Sequence, residues 1–383
     1  MKDPTRLIHT RKGRGPVNTV NPPIEKGSTV ILPTRKALYG NGKVYGRLGL
    51  TVQRELEAGM CALENAKHAR LTSNGLQACA LAVGAVVEAG DHVLVTDNVY
   101  GPNRRFCTRR LSAMGITSTL FPPLSLEGLE AAIQPNTKAI VIESPGSLTF
   151  DVMDAPAIVA LAKARGLITI FDNTWGAGVI HRPLDLGIDI SLQSLTKYVI
   201  GHADAMGGAV MTNSDKLARK IAACSEDWGL SIAPDDAYLA LRGLRTLHTR
   251  FRQHEANGYV IADWLAQRPE VARVLHPGRE DHPEHATWKR DFSGANGLFG
   301  VILAPTSDRK LDAFLEAMNL FGMGFSWGGY ESLLIPSDDQ LKRLPEDRIH
   351  AKAGPLLRIH VGLEDPADLI ADLDQAFAAM AAA

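Results

Sequence analysis

The chain reads as an α/β protein: a mostly parallel, doubly wound sheet followed by a smaller C-terminal α/β segment. Two observations predict this. Strand-like and helix-like segments alternate from about residue 48 to 243, the rhythm of repeated βαβ units. Two of the apolar runs, residues 168–172 and 188–192, end in polar residues, as strands do when their carboxyl ends open on a ligand crevice.

In chain order, residues 1–47 come first. Pro4, Gly13, Gly15, Pro16, Pro22, Pro23 and Pro33 break any long helix there, and apolar periodicity is weak. Such a segment cannot pack by itself, so an extended arm wrapping a partner subunit is expected. Residues 50–63 have helix character, 69–73 form a strand entering a turn, and 76–87 an apolar helix. Strands are expected at 92–97, 138–143, 167–172 and 188–193, with a helix at 156–165. A long polar helix, 247–267, leads into the smaller segment, whose strands are 271–275, 298–303 and 356–361. A helix over 365–380 closes the chain. Three parts result: an arm, 1–47; a ligand-binding domain, 48–243; and a C-terminal domain, 244–383.

Bulk properties narrow the function classes. The chain is 383 residues long, 45% hydrophobic and 22% charged, as soluble globular proteins are. A formal net charge of -1 makes no electrostatic case for nucleic acid or an anionic membrane. The longest apolar run, residues 78–87, is too short to span a bilayer. The segment from Met1 to Arg6 has no apolar core of the signal-peptide type. Cys61, Cys79, Cys107 and Cys224 are dispersed, as free thiols of a reducing cytoplasm are.

The chemistry concentrates at the strand ends. Lys197 lies in Ser194-Leu195-Thr196-Lys197-Tyr198, just past one apolar run, with Gly201 and His202 close behind. Asp172 ends another, in Phe171-Asp172-Asn173-Thr174. A buried lysine and a buried carboxylate at neighbouring strand ends suit pyridoxal phosphate (PLP): the amine forms a Schiff base, and the carboxylate keeps the pyridine nitrogen protonated. The blander alternatives are a surface lysine and a turn or N-cap aspartate. Ser73-Asn74-Gly75-Leu76 sits where a strand turns into a helix, and N–H groups there bind phosphate, although many ordinary turns look alike. Tyr100-Gly101 follows a strand, where an aromatic ring can stack on a flat cofactor. Tyr45-Gly46-Arg47 ends the arm and could bind phosphate in a neighbouring subunit's site, or be solvated loop. Arg358, within Leu356-Leu357-Arg358-Ile359-His360-Val361, is costly unless paired: either with a substrate α-carboxylate or with an internal acid.

Other clusters carry less. Arg104, Arg105, Arg109 and Arg110 are at helical spacing and read as a solvated face. The spacing of His276, His282 and His285 fits no standard zinc pattern, so no metal is expected. Gly40-Asn41-Gly42-Lys43 lacks the glycine spacing of a phosphate-binding Walker loop.

Taken together, these motifs resemble the PLP enzymes of cysteine and methionine metabolism. The general marks are Tyr45-Gly46-Arg47, Asp91-His92-Val93-Leu94, Tyr100-Gly101, Asp172-Asn173-Thr174, the Lys197 segment, Gly201-His202-Ala203-Asp204, the stretch from Arg242 to Leu247, and Gly362-Leu363-Glu364-Asp365. The resemblance runs from about Asn18 to Ala378. Val17-Asn18-Thr19-Val20-Asn21-Pro22-Pro23, Glu143-Ser144-Pro145-Gly146-Ser147-Leu148-Thr149 and the stretch from Phe325 to Ser332 are similar to its β-lyase branch. Ser147-Leu148 stand where most members carry Asn-Pro, leaving the contact to the PLP ring hydroxyl unassigned. Asn74 and Ala203 are milder departures.

The resemblance implies the fold type I architecture of aspartate aminotransferase, with residues 48–243 as the PLP-binding domain. It implies that Lys197 carries PLP, that Asp172 meets the ring nitrogen and that Tyr100 stacks. Gly75, Leu76, Ser194 and Thr196 would bind phosphate, joined by Tyr45 and Arg47 from a neighbouring subunit. Lys197, Tyr100 and Tyr45 would be catalytic, while Arg358, Ser326, Trp327 and Tyr45 would hold the substrate. The implied activity is α,β-elimination of L-cystathionine to homocysteine, pyruvate and ammonia, by a cytoplasmic homotetramer built from dimers sharing sites. Other carbon–sulfur lyases of the family share every PLP contact: a cysteine-conjugate β-lyase, a cysteine desulfhydrase or a γ-lyase. A dinucleotide-binding oxidoreductase lacks support, because no GxGxxG follows the first strand. A non-catalytic binding protein would not need Lys197, Asp172 and Arg358 together.

Overall fold

The computed structural model describes residues 2–9, 19–40, 42, 44–341 and 354–383. Val17 and Asn18, Gly13, Gly15 and Pro16, and Asn41 and Lys43 lie outside the described residues. In chain order the elements begin with α1 (Asp3–Ile8), α2 (Arg35–Leu38), α3 (Thr51–Glu64), β1 (His68–Thr72), α4 (Gly75–Gly84) and β2 (His92–Thr96). There follow α5 (Gly101–Arg105), β3 (Thr117–Phe121), α6 (Leu126–Ala131), β4 (Thr137–Glu143), α7 (Ala155–Arg165) and β5 (Ile168–Asp172). Next come β6 (Ile190–Ser194), β7 (Gly208–Thr212), α8 (Asp215–Asp227), α9 (Pro234–Leu265) and β8 (Val271–Leu275). The last are α10 (His285–Asp291), β9 (Leu298–Leu303), α11 (Asp308–Ala317), β10 (Leu333–Pro336), β11 (Leu356–His360) and α12 (Pro366–Ala382).

A seven-stranded sheet has the order β1-β7-β6-β5-β4-β2-β3. From β6 through β3 the neighbours are parallel, so the carboxyl ends of β2, β4, β5 and β6 share one edge. The strand β7 is antiparallel to both its neighbours. Strand side chains alternate between faces. Val93, Val95, Val141 and Ile170 pack with α4 in one core, while Leu94, Ile140, Ile142 and Phe171 pack with α7 in another. Helices thus cover both faces, and the central strands are accordingly rich in Val and Ile. A four-stranded antiparallel sheet, β10-β11-β9-β8, packs against α12 and the end of α9.

Several elements differ from the sequence reading. The arm is not wholly extended: α1 buries Leu7 in the core it shares with α3 and α9. The apolar helix α4 stops at Gly84, three residues early, and the missing Cβ there makes room for the Trp228 ring. The long helix α9 starts at Pro234 rather than 247 and is not polar on all sides. Gly243 sits inside α9, where the carbonyls of Val199 and Ile200 leave no space for a side chain. Leu241, Leu244 and Phe251 of this helix pack into one core, and Ile261 and Leu265 into another, so α9 ties the two sheets together. The strands β3, β7 and β10 were not anticipated from periodicity.

Candidate active site

The shared carboxyl edge of β2, β4, β5 and β6 gathers the residues singled out above. Past Ser194 the chain turns through a buried segment, with Leu195, Tyr198, Val199 and Ile200 all in the core. Arg250 of α9 clamps this turn, donating to the carbonyl oxygens of Tyr198 (2.8 Å), Val199 (3.2 Å) and Gly243 (2.8 Å). Lys197 is thereby held on a rigid loop. Its Nζ donates to Ser326 Oγ at 2.7 Å and lies 5.4 Å from the centre of the Trp327 ring. Burial, aided by the charge of Arg358, lowers the Lys197 pKa to about 8.

Asp172 is 7% exposed at the end of β5. Its Oδ1 accepts from the Thr174 N–H (3.0 Å) and hydroxyl, while Oδ2 has, among the described residues, the Cys79 thiol at 3.8 Å. A carboxylate oxygen with so weak a partner is ready for a stronger donor. Asp172 pairs in register with Glu143 of β4, which accepts from the Tyr100 N–H (2.6 Å) and the Ser147 hydroxyl (2.5 Å). Burial pushes both carboxyls up, and their mutual repulsion raises Glu143 further.

The turn after β1 forms an anion cradle. Asn74 caps α4 by accepting from the Gln77 N–H at 2.9 Å. The N–H groups of Gly75 and Leu76, one position earlier, make no bond among the described residues. A Cβ on Gly75 would fall 2.5 Å from the Ser194 side chain, so only glycine leaves the gap open. The Thr196 hydroxyl is tied to Gly207, accepting from its N–H at 3.1 Å.

Tyr100 follows β2, half exposed, in a cavity of about 600 Å³ that also touches Ser147, Leu148 and Arg358. Arg358, on β11, donates to the Ser326 carbonyl at 3.0 Å and has no carboxylate partner among the described residues. Ser326 thus touches both Lys197 and Arg358. Its φ of +86° is a left-handed value that a serine adopts at a cost. Two residues on, Gly328 at φ +83° lies so close that a Cβ would sit 2.7 Å from the Tyr198 nitrogen. Trp327 and Ser326 line a second cavity, of about 540 Å³, together with Thr196.

Direct contacts therefore link Lys197 to Ser326 and Ser326 to Arg358, and Gly75 lies against Ser194; Tyr100 and Arg358 share one cavity, and Ser326 lines a second. Tyr45 and Arg47 do not join these residues within this chain. The Arg47 guanidinium is 6.0 Å from the Tyr45 ring and donates to the Glu226 carbonyl at 3.4 Å. Cys79, Glu143 and Arg250 were missed by sequence reading, because each acts through a contact with a residue distant along the chain. The arginines read as a solvated face are corrected in part: Arg104, Arg105 and Arg109 line the Tyr100 cavity.

The buried carboxylate, the desolvated amine and the open N–H cradle fit PLP, with its basic ring nitrogen, aldehyde and phosphate. Among the described residues no helix is long and apolar enough to cross a membrane. The chain is 40% identical to the cystathionine beta-lyase of Escherichia coli (strain K12) over 387 residues, 98% of each chain. It is 34% identical to the L-alanine/L-glutamate racemase of Wolbachia pipientis wMel, covering 99% of this chain and 97% of the other. The crystal structure of cystathionine gamma-lyase from Lactobacillus plantarum complexed with L-serine superposes with a TM-score of 0.93 at 32% identity, covering 100% of both chains. The sequence model for Cys/Met metabolism PLP-dependent enzymes matches residues 4–378, and the chain belongs to that family.

Proposed function

We propose that this protein is a carbon–sulfur lyase that cleaves L-cystathionine by α,β-elimination, giving homocysteine, pyruvate and ammonia. The observation that carries the proposal is one contact chain: Lys197 Nζ bonded to Ser326 Oγ, and the Ser326 carbonyl bonded to Arg358. It sets a proton-transfer amine beside a carboxylate-binding guanidinium, which suits an amino-acid substrate attacked at Cα.

In this reading Asp172 holds the ring nitrogen of PLP, and Tyr100 stacks on the ring. Gly75, Leu76, Ser194 and Thr196 hold the phosphate, with Tyr45 and Arg47 supplied by a neighbouring subunit. PLP supplies a sink for the electron pair left at Cα. Arg358 grips the α-carboxylate, and Ser326, Trp327 and Tyr45 orient the rest of the substrate. The neutral Lys197 amine removes the Cα proton, and its pKa near 8 leaves a useful neutral fraction at physiological pH. The same Nζ delivers that proton to the departing sulfur, and water completes the conversion to pyruvate and ammonia. We further propose a cytoplasmic homotetramer of site-sharing dimers, with residues 1–47 as the arm, 48–243 as the PLP-binding domain and 244–383 as the C-terminal domain. The exposed Tyr45 at the end of the arm supports the shared site.

The test is the purified protein incubated with L-cystathionine. Pyruvate and homocysteine are expected. Cysteine with 2-oxobutyrate would assign γ-cleavage, and conversion of L-alanine to the D-isomer without pyruvate would assign the racemase chemistry named for the Wolbachia relative. The Lys197→Ala variant should lose both the visible absorbance of bound cofactor and turnover.

A further inference from the structure

Three of the four clustered arginines do not face bulk solvent alone. The helix α5 passes at Phe106 into one widened turn of π type, Phe106–Arg110. Such turns are rare and recur at functional sites. Thr108 and Arg109 of this turn, and Arg105 just before it, lie in the wall of the cavity that holds Tyr100 and Arg358. Arg104 is already neutralised by Asp97, with Nη1 to Oδ1 at 2.5 Å. Arg105 and Arg109 are exposed, and neither has a carboxylate partner among the described residues. Like charges close together on one wall repel weakly, and an anion between them would relieve that repulsion. The Arg105 charge also lowers the pKa of the Tyr100 hydroxyl, against the larger upward effect of burial, and Tyr100 in turn acts on Arg358. One cavity therefore carries cations at two places, with the Tyr100 ring in the same wall.

Resting on the lyase reading above, we propose that Arg105 and Arg109 bind a carboxylate on the leaving group, so that this enzyme prefers thioethers with an anionic distal end. Arg358 takes the α-carboxylate of the reacting half, and the arginine pair takes the carboxylate of the departing thiol. A substrate of this kind is a dicarboxylic amino-acid thioether. A neutral thioether fills the same cavity but leaves the pair uncompensated.

The experiment compares S-(3-carboxypropyl)-L-cysteine with its neutral twin, S-(3-carbamoylpropyl)-L-cysteine, on the PLP-loaded enzyme. Pyruvate release gives kcat and KM for each. The wild type should favour the carboxylate, and its KM for that substrate alone should rise with ionic strength. In R105Q/R109Q the kcat/KM for the carboxylate should fall roughly 10- to 100-fold, mainly through KM, as expected for lost charge-assisted hydrogen bonds. For the carbamoyl compound it should change by less than about threefold. The R110Q variant, altered outside the cavity wall, should match wild type on both. Equal losses on both substrates would make the pair structural, and no loss on either would return it to a solvated face; both overturn the proposal. If the wild type releases pyruvate from neither compound nor from L-cystathionine, it is the lyase reading that fails.

Discussion

Glu64 offers a prediction with a computable size. Its carboxyl, the last residue of α3, is fully buried, and Oε1 accepts from Asn173 Nδ2 at 2.7 Å and from Gln193 Nε2. Oε2 finds no partner among the described residues. Asn173 in turn meets His181 Nδ1 through Oδ1 at 3.0 Å, and it is the residue next to Asp172. Burial raises the Glu64 pKa from 4.5 to about 7, and burial keeps His181 neutral, with its pKa near 3. The unfolded chain loses the Glu64 proton near 4.5, whereas the native chain keeps it to about 7. Between those values the native state binds more protons, so its stability falls as pH rises. The favourable contribution is complete below 4.5 and gone above about 7, a loss of about 3 kcal/mol. Glu64→Gln is isosteric with the protonated acid and keeps the acceptor for Asn173 and Gln193. It should match wild type at pH 4.5 and exceed it at pH 8. Unfolding entropy of about 2.1 cal/mol/K per residue over 383 residues turns about 3 kcal/mol into roughly 4 °C. Scanning calorimetry of both holoenzymes at fixed concentration reads this directly. A Tm difference that is the same at pH 5 and pH 8 refutes the reasoning, because a carboxylate already ionised at pH 5 gives no slope.

Three further predictions concern the cleft. Gly75→Ala puts a methyl 2.5 Å from the Ser194 side chain and should raise the PLP dissociation constant at least about tenfold, read from absorbance during titration of the apoprotein. Arg358→Ala should raise KM for L-cystathionine by about 10- to 100-fold with a smaller change in kcat, and an unchanged KM would assign Arg358 to structure. Because the reactive form of Lys197 is the neutral amine, whose pKa burial lowers, activity should rise with pH to a plateau below the usual lysine range; a rate that falls from neutral to mildly alkaline pH contradicts the role given to Nζ.

Much of the site was legible in the residues themselves. An apolar run that ends in a carboxylate, and another followed by a lysine among hydroxyl residues, are local signals, and both landed on the same sheet edge. No α-helix separates those two strands, so their parallel pairing, which sets Asp172 and the Lys197 turn side by side, came from the structure. The Ser73-Asn74-Gly75-Leu76 turn was equally local, because N-capping needs only residues three apart. Ser326 and Trp327 were not legible as chemistry without the family resemblance, since nothing in their neighbourhood has a strand or helix period.

By itself the sequence determined the alternation of strands and helices, and it marked Lys197, Asp172, Arg358 and Gly75 as candidates for the site. Those depend on periodicity and on residue type, which are properties of short segments. Tertiary structure alone decided that Lys197 meets Ser326, 129 residues away, and that Glu143 lies beside Asp172. It decided that position 243 within α9 takes no side chain, because carbonyls of the loop after Lys197 lie against it. It also decided that Arg105 and Arg109, on either side of Phe106, line the cavity that holds Tyr100 and Arg358. Contacts of this kind depend on how distant segments fill a common volume, and no local pattern encodes that.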